Sequence, residues 1–227
     1  MPKINKESTL NITFVGIGLC LLCSAIISFI AIQLRSVQEN NVVLDMQKKI
    51  VSSAGLEKVY GSVENAMSNI KTLIIDLDKG EIVDINPDSY ELAKELREDG
   101  KYKFLSAEED VASIKKREKY SKVYIEYKDN EINTLILPVR GYGLWGILYG
   151  YLAIEGDFNT VAGLEFYEHK ETPGLGAEID NPKWKALWKG KKIYQENGEV
   201  SLKVIKGSVM KSSDNFSYEI DGLSGAT

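Results

Sequence analysis

The chain has 227 residues, 44% hydrophobic and 27% charged, with 19 Gly, 5 Pro, 2 Cys and a single His. Such composition belongs to a globular protein and excludes collagen-like, disordered and disulfide-framework classes. A net charge of -5 argues against nucleic-acid binding, which needs a basic face, and one His with two Cys cannot furnish a zinc or haem site.

From Ser8 through Leu34 no Asp, Glu, Lys or Arg occurs. That run exceeds the roughly 20 apolar residues needed to span a bilayer, and no small-residue cleavage site follows it. Residues 1–34 therefore read as an uncleaved N-terminal membrane anchor and residues 35–227 as one further domain. Lys3 and Lys6 on one side are balanced by Arg35, Lys48 and Lys49 on the other, so basic residues alone leave the orientation open. Cys20 and Cys23 fall inside the anchor, where they read as small apolar filler.

Beyond the anchor, Val43, Met46, Ile50 and Ala54 recur at helical spacing, and Gly55 is placed to end that helix. Thr72 to Val83 predicts two strands folded at Asp78-Lys79-Gly80. Pro87 to Glu98 predicts a helix closed by Gly100, and Ser106 to Arg117 a second one opened by a Ser106/Glu109 capping box. Val123, Ile125 and Tyr127 then alternate with Tyr124, Glu126 and Lys128 as a strand with one apolar and one polar face. After the Asp129-Asn130 turn, strands are predicted over 132–139, 144–154 and 161–168. The sum is an α+β domain with a mainly antiparallel sheet and flanking helices, behind a single transmembrane helix.

Three segments carry candidate chemistry. Tyr167 to Gly176 runs from a strand end into a loop with Glu171, Thr172, Gly174, Leu175 and Gly176, where glycines two apart let backbone N–H groups face an anion or a flat ligand; Thr-Pro-Gly is equally an ordinary turn. His169 in this loop reads as a hydrogen-bonded structural side chain. Gly141 to Gly146 brackets Leu144 and Trp145, and the indole could wall a flat aromatic ligand or simply fill the core. The end of the chain, Asp221 to Thr227, sets the Thr227 hydroxyl behind the small residues Ser224, Gly225 and Ala226; read from spacing alone it is a frayed tail. With His169 the only imidazole, no catalytic triad can form, and neither a catalytic side chain nor a metal-ligand set is assigned.

Together these motifs resemble the NqrC family, one of the subunits of the sodium-translocating NADH:quinone oxidoreductases, and, more broadly, the FMN-binding domain shared with the G-type subunit of the Rnf ferredoxin:NAD oxidoreductases. Asp221-Gly-Leu-Ser-Gly-Ala-Thr227 is similar to the family's flavinylation motif, Asp-x-x-Ser/Thr-Gly-Ala-Thr; His169-Lys-Glu-Thr-Pro-Gly-Leu-Gly176 is similar to its loop motif. Glu178-Ile-Asp-Asn-Pro182 with Trp184, Trp188 and Gly190, Gly143-Leu-Trp145, and the stretches Leu44 to Ile50 and Ala54 to Leu56 extend the likeness along the chain. The resemblance implies FMN held covalently by a phosphoester to Thr227, with Ser224, Gly225 and Ala226 clearing the approach of a flavin transferase. It also implies flavin contacts from Glu171, Thr172, Gly174, Leu175, Gly176, Leu144 and Trp145, and gives Lys206 as a partner for the phosphate or reduced flavin.

The implied role is electron transfer from NADH towards ubiquinone or menaquinone, coupled to Na⁺ export, within a multi-subunit membrane complex. The domain would stand on the periplasmic side of the bacterial inner membrane, anchored in lipid and bound to the other subunits. Family members continue past the motif threonine, so further residues are expected beyond Thr227. Two other readings stay open: the G-type subunit of an Rnf complex, and a membrane-anchored binding or scaffold domain without a cofactor.

Overall fold

The computed structural model describes residues 9–223. The chain divides into two compact units, Met1–Asp45 and Met46–Thr227. Helix α1, Thr9–Ser53, begins in the first. Its apolar residues there are almost all exposed, Phe14 at 67% and Ile27 at 67%, and an 18-residue window reaches a mean hydropathy of 2.6. It is long and apolar enough to cross a membrane.

The second unit opens with the last turns of α1, where Ile50 and Val51 become buried, and Gly55 at φ +66° ends the helix as its position in the sequence indicates. Helices α2, Glu57–Tyr60, and α3, Val63–Ser68, follow; Ser62 caps α3 by accepting the Asn65 N–H. Strand β1, Ile70–Asp76, turns at the expected place into β2, Glu81–Val83. There the Asp76 carboxylate accepts the Asp78 and Lys79 N–H groups and Gly80 takes φ +71°.

The next segment departs from expectation. Pro87–Ser89 forms only a 3₁₀ turn and α4 only Leu92–Glu95. In place of a helix over 106–117 the chain forms β3, Tyr102–Phe104, paired antiparallel with β4, Lys116–Glu118. The Ser106/Glu109 capping box is present, with both reciprocal hydrogen bonds made. It opens no helix because Asp110 takes the N–H groups of Ile114 and Lys115 on its carboxylate, while Ser113 and Lys115 adopt left-handed backbone.

Strands β5, Tyr120–Lys128, β6, Glu131–Tyr142, β7, Ile147–Glu155, and β8, Val161–Glu168, complete a six-stranded antiparallel sheet in the order β2-β1-β5-β6-β7-β8. The β5–β6 turn is made by Asp129 and Asn130, both left-handed. The alternation along β5 breaks at Glu126, which is 2% exposed instead of facing solvent. A bulge between Glu126 and Tyr127 turns it inward, and the Tyr60 hydroxyl and Asn133 amide, each at 2.7 Å, satisfy its carboxylate.

Each face of the sheet carries its own apolar cluster. One gathers Ile50, Val51, Leu56, Ala66, Ile70, Ile136, Tyr151 and Ala153 beneath the end of α1. The other gathers Leu164, Ile179, Trp184 and Ile220, with Leu148, Trp188 and Leu223 packed against them, under helix α5, Pro182–Lys185, and the short parallel pair β9, Lys203–Val204, and β10, Glu219–Ile220.

Candidate functional site

Two loops meet beside the second cluster. The first is the β6–β7 hairpin turn. Tyr142 pairs with Ile147, so residues 143–146 form the turn, closed by a hydrogen bond from Gly143 N–H to the Gly146 carbonyl at 2.7 Å. Strand β7 therefore begins three residues later than the predicted strand over 144–154, because the two glycines fold the chain back there. Leu144 and Trp145 are lifted into solvent at 56% and 63% exposure.

The second loop leaves β8 at Glu168. The Glu171 N–H donates to His169 Nδ1 at 3.2 Å, which leaves His169 Nε2 to donate to Asp180 at 2.8 Å. Thr172 accepts the N–H groups of Leu175 and Ala177 on its carbonyl, and Gly174 turns the chain at φ +75°. Thr172 and Gly174 are exposed, Gly176 is buried, and Leu175 presents an apolar side chain at 47% exposure.

One carboxylate joins the two. Glu171 Oε1 accepts the Trp145 N–H at 3.1 Å. A Cβ at Gly143 would stand 2.5 Å from that oxygen, and one at Gly176 would stand 2.6 Å from Oε2. Both loops thus approach Glu171 where glycine alone leaves room. Leu144, Trp145 and Leu175 belong to loops held by this one side chain.

The third segment reaches the same cluster. Ile220 and Leu223 pack in it with Leu148, and Leu148 also lies against Gly143, where a Cβ would be 2.9 Å from its Cδ1. Asp221 is held twice: its carbonyl accepts the Trp184 indole N–H at 2.8 Å and its carboxylate accepts the Val209 N–H at 2.7 Å. Gly222 lies flat on the neighbouring loop, donating to the Gly207 carbonyl, with no space for a Cβ 2.3 Å from the Ile205 carbonyl. Lys206, between those two residues, is exposed and forms no ion pair among the described residues. Ser224, Gly225, Ala226 and Thr227 lie outside the described residues. Reading the sequence missed the holding roles of Asp221, Trp184 and Asp180; the paired glycines facing Glu171 were the one visible signal.

A cavity of about 420 Å³, which shares only Tyr167 with the three segments, is lined by Tyr90, Tyr124, Tyr149, Tyr151 and Tyr167 with the Arg140–Glu118 ion pair in its wall. Burial pushes the Tyr124 hydroxyl up to about 12 and raises those of Tyr90, Tyr151 and Tyr167 as well.

Residues 143–227, which contain the Gly143–Gly146 turn, the Glu171 loop and the Asp221–Thr227 motif, match the FMN-binding domain family. The chain is 45% identical over 228 residues to the C-type subunit of the Na(+)-translocating NADH-quinone reductase of Pseudomonas aeruginosa, covering 98% of this chain and 87% of that one. The equivalent subunit of Vibrio anguillarum is 40% identical over 223 residues, with 98% and 86% covered. Among solved structures, the crystal structure of Shewanella oneidensis NqrC superposes with a TM-score of 0.70 at 30% identity, covering 80% of this chain and 83% of that one. That of the same subunit from Parabacteroides distasonis gives 0.59 at 29%, with 85% of each covered.

The residues present fit a flavin. Three large apolar side chains stand exposed on two loops fixed to each other, a surface a flat ring would cover, and two glycine positions keep the frame close. The basic Lys206 beside Gly222 suits a phosphate. With 45% identity along nearly its whole length and the FMN-binding match over its last four strands and terminal motif, this chain belongs to the NqrC family of Na(+)-translocating NADH-quinone reductase subunits.

Proposed function

We propose that this chain is the FMN-carrying NqrC subunit of a Na⁺-translocating NADH:quinone reductase, passing electrons from NADH towards quinone as one part of that enzyme. FMN supplies reversible one- and two-electron chemistry. The chain's own residues position it: Leu144, Trp145 and Leu175 provide an apolar wall that excludes water from one part of the ring. Thr172, Gly174 and Gly176 shape the adjoining turn.

FMN is joined through its phosphate to Thr227, with Ser224, Gly225 and Ala226 leaving the threonine open to a flavin transferase and Lys206 placed to pair with the phosphate. The observation that supports this reading most is the Gly143–Gly146 turn, which Glu171 ties to the loop after β8 and which lies against Leu148 of the apolar cluster that also holds Ile220 and Leu223. Residues 1–34 anchor the chain in the bacterial inner membrane, and residues 35–227 stand on the periplasmic side among the other subunits.

The test is co-expression with a flavin transferase followed by a denaturing gel under ultraviolet light. A fluorescent band at the mass of this chain is expected, and Thr227→Ala abolishes it. Fluorescence that survives in the variant refutes attachment at Thr227, and a colourless, non-fluorescent wild-type chain refutes the flavin reading.

A further inference from the structure

Glu171 is unusual among the loop residues in that its side chain turns away from solvent into backbone. Oε1 accepts the Trp145 N–H at 3.1 Å and lies against Gly143, while Oε2 lies against Gly176. Its own N–H is tied to His169, whose other ring nitrogen is tied to Asp180 at the far end of the 3₁₀ turn Gly176–Asp180. The loop is thereby closed into a ring with the carboxylate directed inward and the hairpin turn clipped onto it. Lys170 adds a second contact, its aliphatic stem packing where a Gly146 Cβ would be 3.4 Å away.

The consequence is mechanical. The four-residue hairpin turn and the loop after β8 are separate surface segments, and such segments open independently unless something joins them. Glu171 is the hydrogen-bonded link between them among the described residues.

We propose that Glu171 is a positioning residue: it locks the Leu144–Trp145 turn to the Leu175 loop as a single preorganised wall, and acts on the flavin only through that wall. The inference rests on the flavin reading above, but its first measurement needs no flavin. In the full-length chain carrying Thr227→Ala, amide hydrogen exchange over residues 143–146 is followed with and without Glu171→Ala. Exchange at Trp145 is expected to speed up on the order of ten-fold, the loss of one hydrogen bond, while Glu171→Gln, which keeps an acceptor at Oε1, stays near wild type. Gly176→Ala, which crowds Oε2 from the backbone side, should reproduce the loosening should Glu171→Ala fail to fold.

The second measurement uses the chain loaded at Thr227. Glu171→Ala should still carry FMN by intact mass. Its visible circular dichroism should collapse towards that of free flavin and its flavin fluorescence should rise as the ring leaves Trp145, with Glu171→Gln restoring both. Unchanged exchange in Glu171→Ala overturns the proposal. So does a Glu171→Gln chain whose exchange is normal but whose flavin spectra match Glu171→Ala, since Glu171 would then act on the flavin directly. A wild-type chain that carries no flavin overturns the functional reading while the exchange result stands by itself.

Discussion

Arg140 offers a quantitative test of how the hairpin bearing Trp145 is anchored. It lies on β6 near the turn, its side chain is 8% exposed, and its guanidinium donates to Glu118 on β4 at 2.5 Å and to the Lys116 carbonyl at 2.8 Å. Arg140→Leu keeps apolar volume but leaves the Glu118 carboxylate, 11% exposed, without its counter-ion. Stranding a buried charge in this way costs about 3–5 kcal/mol. For a unit of this size each kcal/mol lowers the melting temperature by about 2–4 °C, so a fall of about 6–20 °C is expected.

The double variant Arg140→Leu/Glu118→Leu removes both charges and should recover most of that loss, giving a coupling energy of about 2 kcal/mol or more. Thermal denaturation followed by far-ultraviolet circular dichroism at neutral pH measures all three proteins. A single variant melting within about 2 °C of wild type, or a double variant less stable than Arg140→Leu, would refute the reasoning.

Further outcomes follow from the same structure. Tyr124, Tyr151, Tyr167 and Tyr90 resist ionisation in the folded state because they are buried, so their contribution is intact below about pH 10, the value for an unfolded tyrosine, and falls as pH rises above it, that of Tyr124 being lost by about pH 12 while the other three continue to fall beyond. Lys122, whose ammonium burial disfavours, works in the opposite sense but is a single group; a denaturant midpoint that stays flat across this range contradicts the account. Gly163→Ala sets a Cβ 2.4 Å from the Ser53 carbonyl, and should lower the urea midpoint by the equivalent of about 1–3 kcal/mol with an unchanged slope. Asp221→Ala removes the acceptor of the Val209 N–H, costing about 1–2 kcal/mol, and should slow FMN attachment at Thr227, read as flavin fluorescence per chain on a denaturing gel.

Much of the fold was legible because its signals are local. Apolar alternation marked β5 to β8, Asp129-Asn130 marked the β5–β6 turn and Asp78-Lys79-Gly80 the β1–β2 turn, and an unbroken apolar run marked α1, since each of these depends on residues a few positions apart. Where the reading failed, distant groups decided. The Ser106/Glu109 box formed its hydrogen bonds, yet Asp110 diverted the next N–H groups and pairing with Tyr102–Phe104 drew Lys116–Glu118 into a strand. Glu126 looked solvent-facing until a bulge and two partners, Tyr60 and Asn133, brought it inside.

The candidate site shows the same division. Residue types and spacing alone showed which residues could serve: two glycine-bracketed turns, a threonine behind small residues, and too few His and Cys for a zinc, haem or triad site, which left carboxylates, hydroxyls or a borrowed group. It took the folded chain to show that Trp145 faces solvent instead of filling the core, that Glu171 binds backbone across 26 residues of chain, and that Asp221 is held by Trp184 and Val209 beside the cluster that takes in Ile220 and Leu223. A side chain's direction depends on what the rest of the sheet brings against it, and that contact is absent from any short stretch of sequence.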